Sequence, residues 1–206
     1  MTLIKIAKTI NKIMNKHSVF DISVDEQRKF VTKFKTPQNL FERSYYQFKC
    51  QSKLNNKILN LINNIISVFT IGFIIIKFRC LNSNVKASYS QVDAVATWDF
   101  EERGLLNDEI NERFLKIMTL SDLKGSLNSR DMEFIYKIAK KYFYQPYFVL
   151  KCIFRIAIYS NAISVYKPRA ILAYAEYSFT SSILTAYCRN YCIKHINIMH
   201  GEKLYD

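Results

Sequence analysis

Near its carboxyl end the chain reads "PRAILAYAEYSFTSSILTAYCRNYCIKHINIMHGE", and no other stretch restricts the fold as strongly. After Pro168 comes "AILAYAEY", an apolar run of strand length. "TSSILTAYCRNYCI" then carries apolar side chains at helical spacing, with Thr180 or Ser181 placed as N-cap. "HINIM" is a second short strand. Strand, crossover helix and strand make a βαβ unit, whose two strands should run parallel with a right-handed connection. The expected class is therefore α/β, with a parallel sheet and flanking helices.

Open parallel sheets bind ligands beyond the carboxyl ends of their strands. Glu176 and Tyr177 end the first strand; His200, Gly201 and Glu202 end the second, so both groups should open on one rim. A histidine there can take or give a proton near neutral pH. Gly201 lets backbone approach a ligand or take a positive φ. Glu202 could accept a hydroxyl proton or orient the imidazole. Glu176, closing an apolar strand, must find a partner or water. The plainer reading of both groups is an ordinary turn and a solvated strand end.

Cys188, Cys192, His195 and His200 have spacings that invite a zinc reading. It fails on geometry, because His195 and His200 stand at an odd separation along a strand and point to opposite sides. Buried cysteines acting as small hydrophobes account for the pattern better. No metal and no cofactor are expected. Walker, G-x-G-x-x-G, G-x-S-x-G and H-E-x-x-H patterns are absent from the sequence.

The formal charge of +13 is unevenly placed. Residues 1–88 hold 15 Lys/Arg against 4 Asp/Glu, a net of +11; residues 89–206 hold 15 against 13, a net of +2. The basic first part suits an anionic partner, nucleic acid or anionic lipid. Lys5, Lys8, Lys12 and Lys16 fall on one stripe of an amphipathic helix over residues 2–17. Residues 58–76, "ILNLINNIISVFTIGFIII", carry no charge between Lys57 and Lys77. Three asparagines dilute that stretch, so a buried helix or one lodged in a membrane interface fits better than a span. In "QRKFVTKFKTPQNLFERSYYQFKC" aromatics alternate with cations, as in single-strand binders, yet no nucleic-acid module is visible. Five cysteines and no evident signal peptide point to reduced thiols in the cytoplasm.

Between these ends, residues 81–106 suggest loop with one or two short strands. A helix is expected from Asp108 to about Leu120. Others are expected from about Asp131 to Tyr144, ahead of Pro146, and from Tyr147 to about Val165. Four glycines and three prolines in 206 residues argue for long helices with few tight turns.

At residues 168–206 the chain resembles bacterial glycosyltransferases of capsular and other cell-surface polysaccharides. It is similar to the N-terminal Rossmann-like half of the two-domain GT-B architecture, in the broad group that includes glycerophosphotransferases of teichoic-acid synthesis. The resemblance implies that His200 is a base for the acceptor hydroxyl and that Gly201 forms the tight turn. Glu202 and Lys203 would line the cleft with Glu176 and Tyr177. A nucleotide-sugar donor and a lipid-linked or saccharide acceptor are the implied partners, at the inner face of the plasma membrane. Two parts are expected: a basic, largely helical segment over 1–80 and the Rossmann-like domain over 81–206. No donor-binding domain follows Asp206, so the chain is expected to be a truncated front half, inactive alone. The competing expectation is a basic α/β binding module for nucleic acid or a protein partner, without catalysis; a third is a degenerate remnant with no activity.

Overall fold

A computed structural model of the chain describes residues 24–51, 57–82, 92–97, 112, 114, 117–119, 125–174 and 179–198. Among them are six helices: α1 (Val24–Val31), α2 (Leu40–Gln51), α3 (Lys57–Asn82), α4 (Ser129–Tyr142), α5 (Pro146–Tyr166) and α6 (Phe179–Asn190). The four strands are β1 (Ala94–Ala96), β2 (Ile117–Thr119), β3 (Ala170–Tyr174) and β4 (Lys194–Ile198). They form one sheet in the order β2-β1-β3-β4, and every adjacent pair is parallel. The chain is mixed α/β, and its last two strands run side by side in the same direction, as the strand–helix–strand pattern requires.

Local chemistry explains most boundaries. Asn128 caps α4 by accepting from the Asp131 N–H (3.0 Å), and Asp131 accepts from the Asn128 N–H (2.7 Å), a reciprocal capping box. Pro146 opens α5, where its missing N–H costs nothing. Lys167 closes α5 in the left-handed region at φ 46°, and Pro168 prevents continuation. Helix α6 begins at Phe179, so Thr180 and Ser181 lie inside its first turn and neither is the N-cap.

The helix expected from Asp108 to Leu120 does not extend to its end, for Ile117–Thr119 is strand β2. Ala94, Val95 and Ala96 pair with it residue by residue. A backbone ladder with β1 overrides the weak helical pattern of "LKIMTL".

The two sheet faces differ. Val95, Ile171 and His195 stand in one cross-strand row and face α5 and α6. Ala94, Ala96, Ala170 and Leu172, all fully buried, face the other side with Phe114, Ile117 and Ile196. Right-handed crossovers account for this split. The chain moves one way from β1 to β2 and the opposite way from β2 through β3 to β4, and right-handed connections in opposite directions lie on opposite faces of a sheet. Phe114 belongs to the β1–β2 connection and packs on the face away from α5 and α6.

The main core joins α2 to α6. Tyr45, Phe48 and Phe78 share one apolar cluster with Phe134, Ile138, Phe148, Ile153, Ile156, Ile171 and Ile183. The Ser44 hydroxyl donates to the Phe179 carbonyl (2.8 Å) and the Ser182 hydroxyl to Gln47 Oε1 (2.9 Å). Helices α2 and α3 thus share one apolar cluster with the α/β part.

Helix α3 extends the uncharged stretch 58–76 at both ends. It runs beside α5 in the same direction, with Asn64 at Tyr147 and the Phe78 ring against Phe154. Gly125 slips between them; a Cβ there would come within 2.8 Å of the Phe78 ring and 3.1 Å of the Ala157 Cβ. Ile71, Ile74, Ile75 and Phe78 turn toward the core, while the opposite face of α3 is bare. Of the two readings of this stretch, a buried helix or one lodged in a membrane interface, a fully buried helix does not hold, because its outer side is exposed. The amphipathic helix expected over residues 2–17, with its four lysines, lies outside the described residues.

Candidate functional site

The carboxyl ends of the parallel strands form the edge at which an open sheet of this kind takes a ligand. The pairing of β3 with β4 runs from Ala170↔Lys194 to Tyr174↔Ile198. Glu176 stands two residues beyond Tyr174, and His200 two residues beyond Ile198. Glu176, Tyr177, His200, Gly201, Glu202 and Lys203 all lie outside the described residues. What the described residues fix is that the strands leading to the two groups are adjacent, parallel and in register at their last pair.

Strand order adds what the sequence did not reveal. The chain leaves β1 for β2 on one side and returns to β3 on the other. The topological switch point thus falls between β1 and β3, and not between β3 and β4. The Thr97 N–H, just past β1, donates to the Leu172 carbonyl (2.9 Å) and extends that ladder to the rim. Strand β3 borders both the switch point and β4, so its exit is the middle of the edge. The signal for β1 in the sequence was slight, four small or branched apolar residues in "VDAVAT".

No family model, curated protein or solved structure matches the chain.

Two polar clusters below the rim were not anticipated. His195 lies on the helix-covered face, its Nδ1 2.8 Å from the Thr185 Oγ1. That hydroxyl donates to the Ser181 carbonyl (2.8 Å), so Nδ1–H donates to it and Nε2 carries the lone pair. Nε2 is enclosed and has no hydrogen-bond partner among the described residues. Burial pulls the imidazole down to about 4, so it is neutral at neutral pH. This histidine belongs to the packing of β4 on α5 and α6. Cys188 is buried in the core and Cys192 is exposed, and among the described residues no three His, Cys, Asp or Glu side chains converge.

The second cluster centres on Asp131, fully buried at the start of α4. Its Oδ2 accepts from the Ser160 hydroxyl (2.6 Å) and the Asn128 N–H. Its Oδ1 accepts from the Tyr187 and Tyr191 hydroxyls, each at 2.6 Å. Burial and the adjacent carboxylate push the Tyr187 phenol far up and the Tyr191 phenol up to about 12. The Arg130 guanidinium lies 4.3 Å over the Tyr191 ring and donates to the Asn190 carbonyl. With its lone pairs occupied by neutral donors, Asp131 ties α4, α5 and the end of α6 together and has no capacity left to react. The pattern "NSRD" marks the cap in the sequence; its tyrosine and serine partners come from other helices.

A shallow groove along α4 is lined by Met132, Glu133, Tyr136, Lys137 and Lys140. Its lining comes from one helix, so it lacks the convergent polar groups of a reaction site.

Proposed function

We propose that this chain is the acceptor-side, Rossmann-like domain of a glycosyltransferase of the GT-B kind, acting in the synthesis of bacterial cell-surface polysaccharide. The observation that supports the reading is the parallel, in-register pairing of β3 with β4 up to Tyr174↔Ile198. Two further residues of the same pairing would bring Glu176 and His200 together at the rim. The crevice in this reading lies at the switch point beside β3.

In this reading the acceptor sugar lies across the ends of β3 and β4. His200 removes the proton from the attacking hydroxyl as its oxygen bonds to the anomeric carbon of a nucleotide sugar. Glu202 orients the imidazole. Glu176 and Tyr177 hold acceptor hydroxyls, Gly201 allows the close turn, and Lys203 lines the cleft. The leaving nucleotide diphosphate takes the bonding electrons, and its charge is met by cations or helix N-termini. That role falls to a second Rossmann-like domain, in this or another polypeptide.

Ligand-observed NMR with the full chain tests the assignment. Saccharide acceptors should bind, and Glu176→Gln or Tyr177→Ala should weaken them about tenfold, the loss of one or two buried hydrogen bonds. His200→Ala should leave acceptor affinity within about threefold, since a base acts on the barrier and not on ground-state binding. No saccharide binding, together with steeply salt-dependent oligonucleotide binding indifferent to His200→Ala, would replace the reading with a basic binding module.

A further inference from the structure

Helix α3 carries two faces that cannot both belong to a helix of a fully enclosed core. At 100° per residue, Leu61, Ile65, Val68, Phe69, Phe73 and Ile76 fall within an arc that, with Ile62 and Ile66, covers about 160° of the circumference. All are exposed, Phe69 by 79% and Phe73 by 68%. Gly72 sits mid-arc with nothing near it. The stretch Leu59–Leu81 is long and apolar enough to cross a bilayer, yet only 6% of its most apolar window is buried.

We propose that this bare face of α3 docks into the interfacial region of an anionic phospholipid bilayer, with the helix lying in the membrane plane. The inference stands apart from the sugar-transfer reading and does not need it.

Orientation follows from how α3 is fastened. Near one end, Asn64 Oδ1 accepts from the Tyr147 N–H (3.1 Å); near the other, the Phe78 carbonyl accepts from the Leu127 N–H (3.1 Å). These ties are about 21 Å apart along the axis. A spanning α3 would carry α5 and residues 125–128 with it into a hydrocarbon layer about 30 Å thick. Lying flat, it keeps both ties and immerses the bare face alone. Polar groups within the helix are already met: the Ser67 and Thr70 hydroxyls donate to the Asn63 (2.6 Å) and Ile66 (2.9 Å) carbonyls.

Charge decides the occupant. Helix α3 contains no acidic residue, begins at Lys57 and ends near Lys77 and Arg79. On the same angular count Arg79 falls inside the apolar arc, at the angle of Leu61, and Lys77 borders it, and both are exposed. Two copies of the face stacked together would oppose cations to cations in either direction. The segment 2–17, rich in lysine, meets the same repulsion. Anionic headgroups complement it.

The test uses the full chain with vesicles of phosphatidylcholine containing phosphatidylglycerol, and of phosphatidylcholine alone. Co-sedimentation with the anionic vesicles is expected. Phe69→Ser with Phe73→Ser should lower partitioning at least about tenfold, and Lys77→Gln or Arg79→Gln about fivefold each. Thermal unfolding of these surface variants should match the parent. Leu61→Trp, Phe69→Trp and Ile76→Trp, read with brominated lipids against the native Trp98 baseline, should report one shallow depth. A deep middle with shallow ends would overturn the in-plane placement. Partitioning indifferent to the Phe variants, or vesicle-independent self-association that they abolish, would overturn the bilayer as occupant.

Discussion

Helices α3 and α5 lie side by side, and each is long and apolar enough to cross a bilayer. More than half of the most apolar window of α5 is fully buried, while only 6% of that of α3 is, its inner side half-buried against the core and its outer side bare. The difference lies in their neighbours. Helix α5 is walled by α3, α4, α6 and the sheet; α3 has α5 on one side and an open face on the other. Two helices of similar chemistry thus acquire opposite roles from their layer in the fold, which hydropathy along the chain does not encode.

The largest effect should come from the walled helix. Ile156→Ala removes a fully buried side chain from the main cluster and should cost roughly 3–4 kcal/mol, seen as a lower urea midpoint at constant slope. A cost below about 1 kcal/mol would mean that α5 is not enclosed, and the contrast with α3 would collapse.

A pH series sharpens the same point on the flank that α5 shares with α6. His195 titrates near 4 when folded, against an ordinary value of 6.5. Between those values the unfolded chain binds more protons, so stability is full above pH 6.5 and falls as pH drops toward 4. The expected loss is up to about 3 kcal/mol. Chemical denaturation at stepped pH should show this slope in the parent and its absence in His195→Gln. An unchanged slope would place the imidazole in solvent.

The smallest effect concerns the tie between the two helices. Gln145 makes no side-chain cap for α5, and Asn64 of α3 supplies the missing acceptor from outside. Asn64→Ala should cost about 1 kcal/mol, the usual worth of a helix cap. It should also raise hydrogen exchange in the first turn of α5. No change in exchange would show that the helices are joined by apolar contact alone.

How far the fold was legible depended on whether a segment's neighbours were local. Strand β3, helix α6 and strand β4 could be read because apolar runs, helical spacing and short connections all agree over residues 170–198. Strand β2 could not, since three residues become a strand through pairing with β1, about twenty positions away. The free face of α3 is likewise a matter of what packs elsewhere. At the candidate site, the adjacency of the two strands leading to Glu176 and His200 followed from the pattern. The switch point beside β1 did not, because strand order is set by handedness across the whole sheet. Asp131 was recognisable as a helix-start residue; that Ser160, Tyr187 and Tyr191 converge on it required three helices to be in place.

The two hydrogen-bonded ties of α3, one through the Asn64 side chain and one through the Phe78 carbonyl, have a mechanical consequence. Peeling this helix from the body would break both ties and expose Phe78 with Ile71, Ile74 and Ile75 to water, which opposes its swinging out as a floppy leash. Whatever seizes its outer side seizes the entire body in a single attitude. The tilt of the sheet's open edge toward that surface is then set by a keel, with no swivel between them.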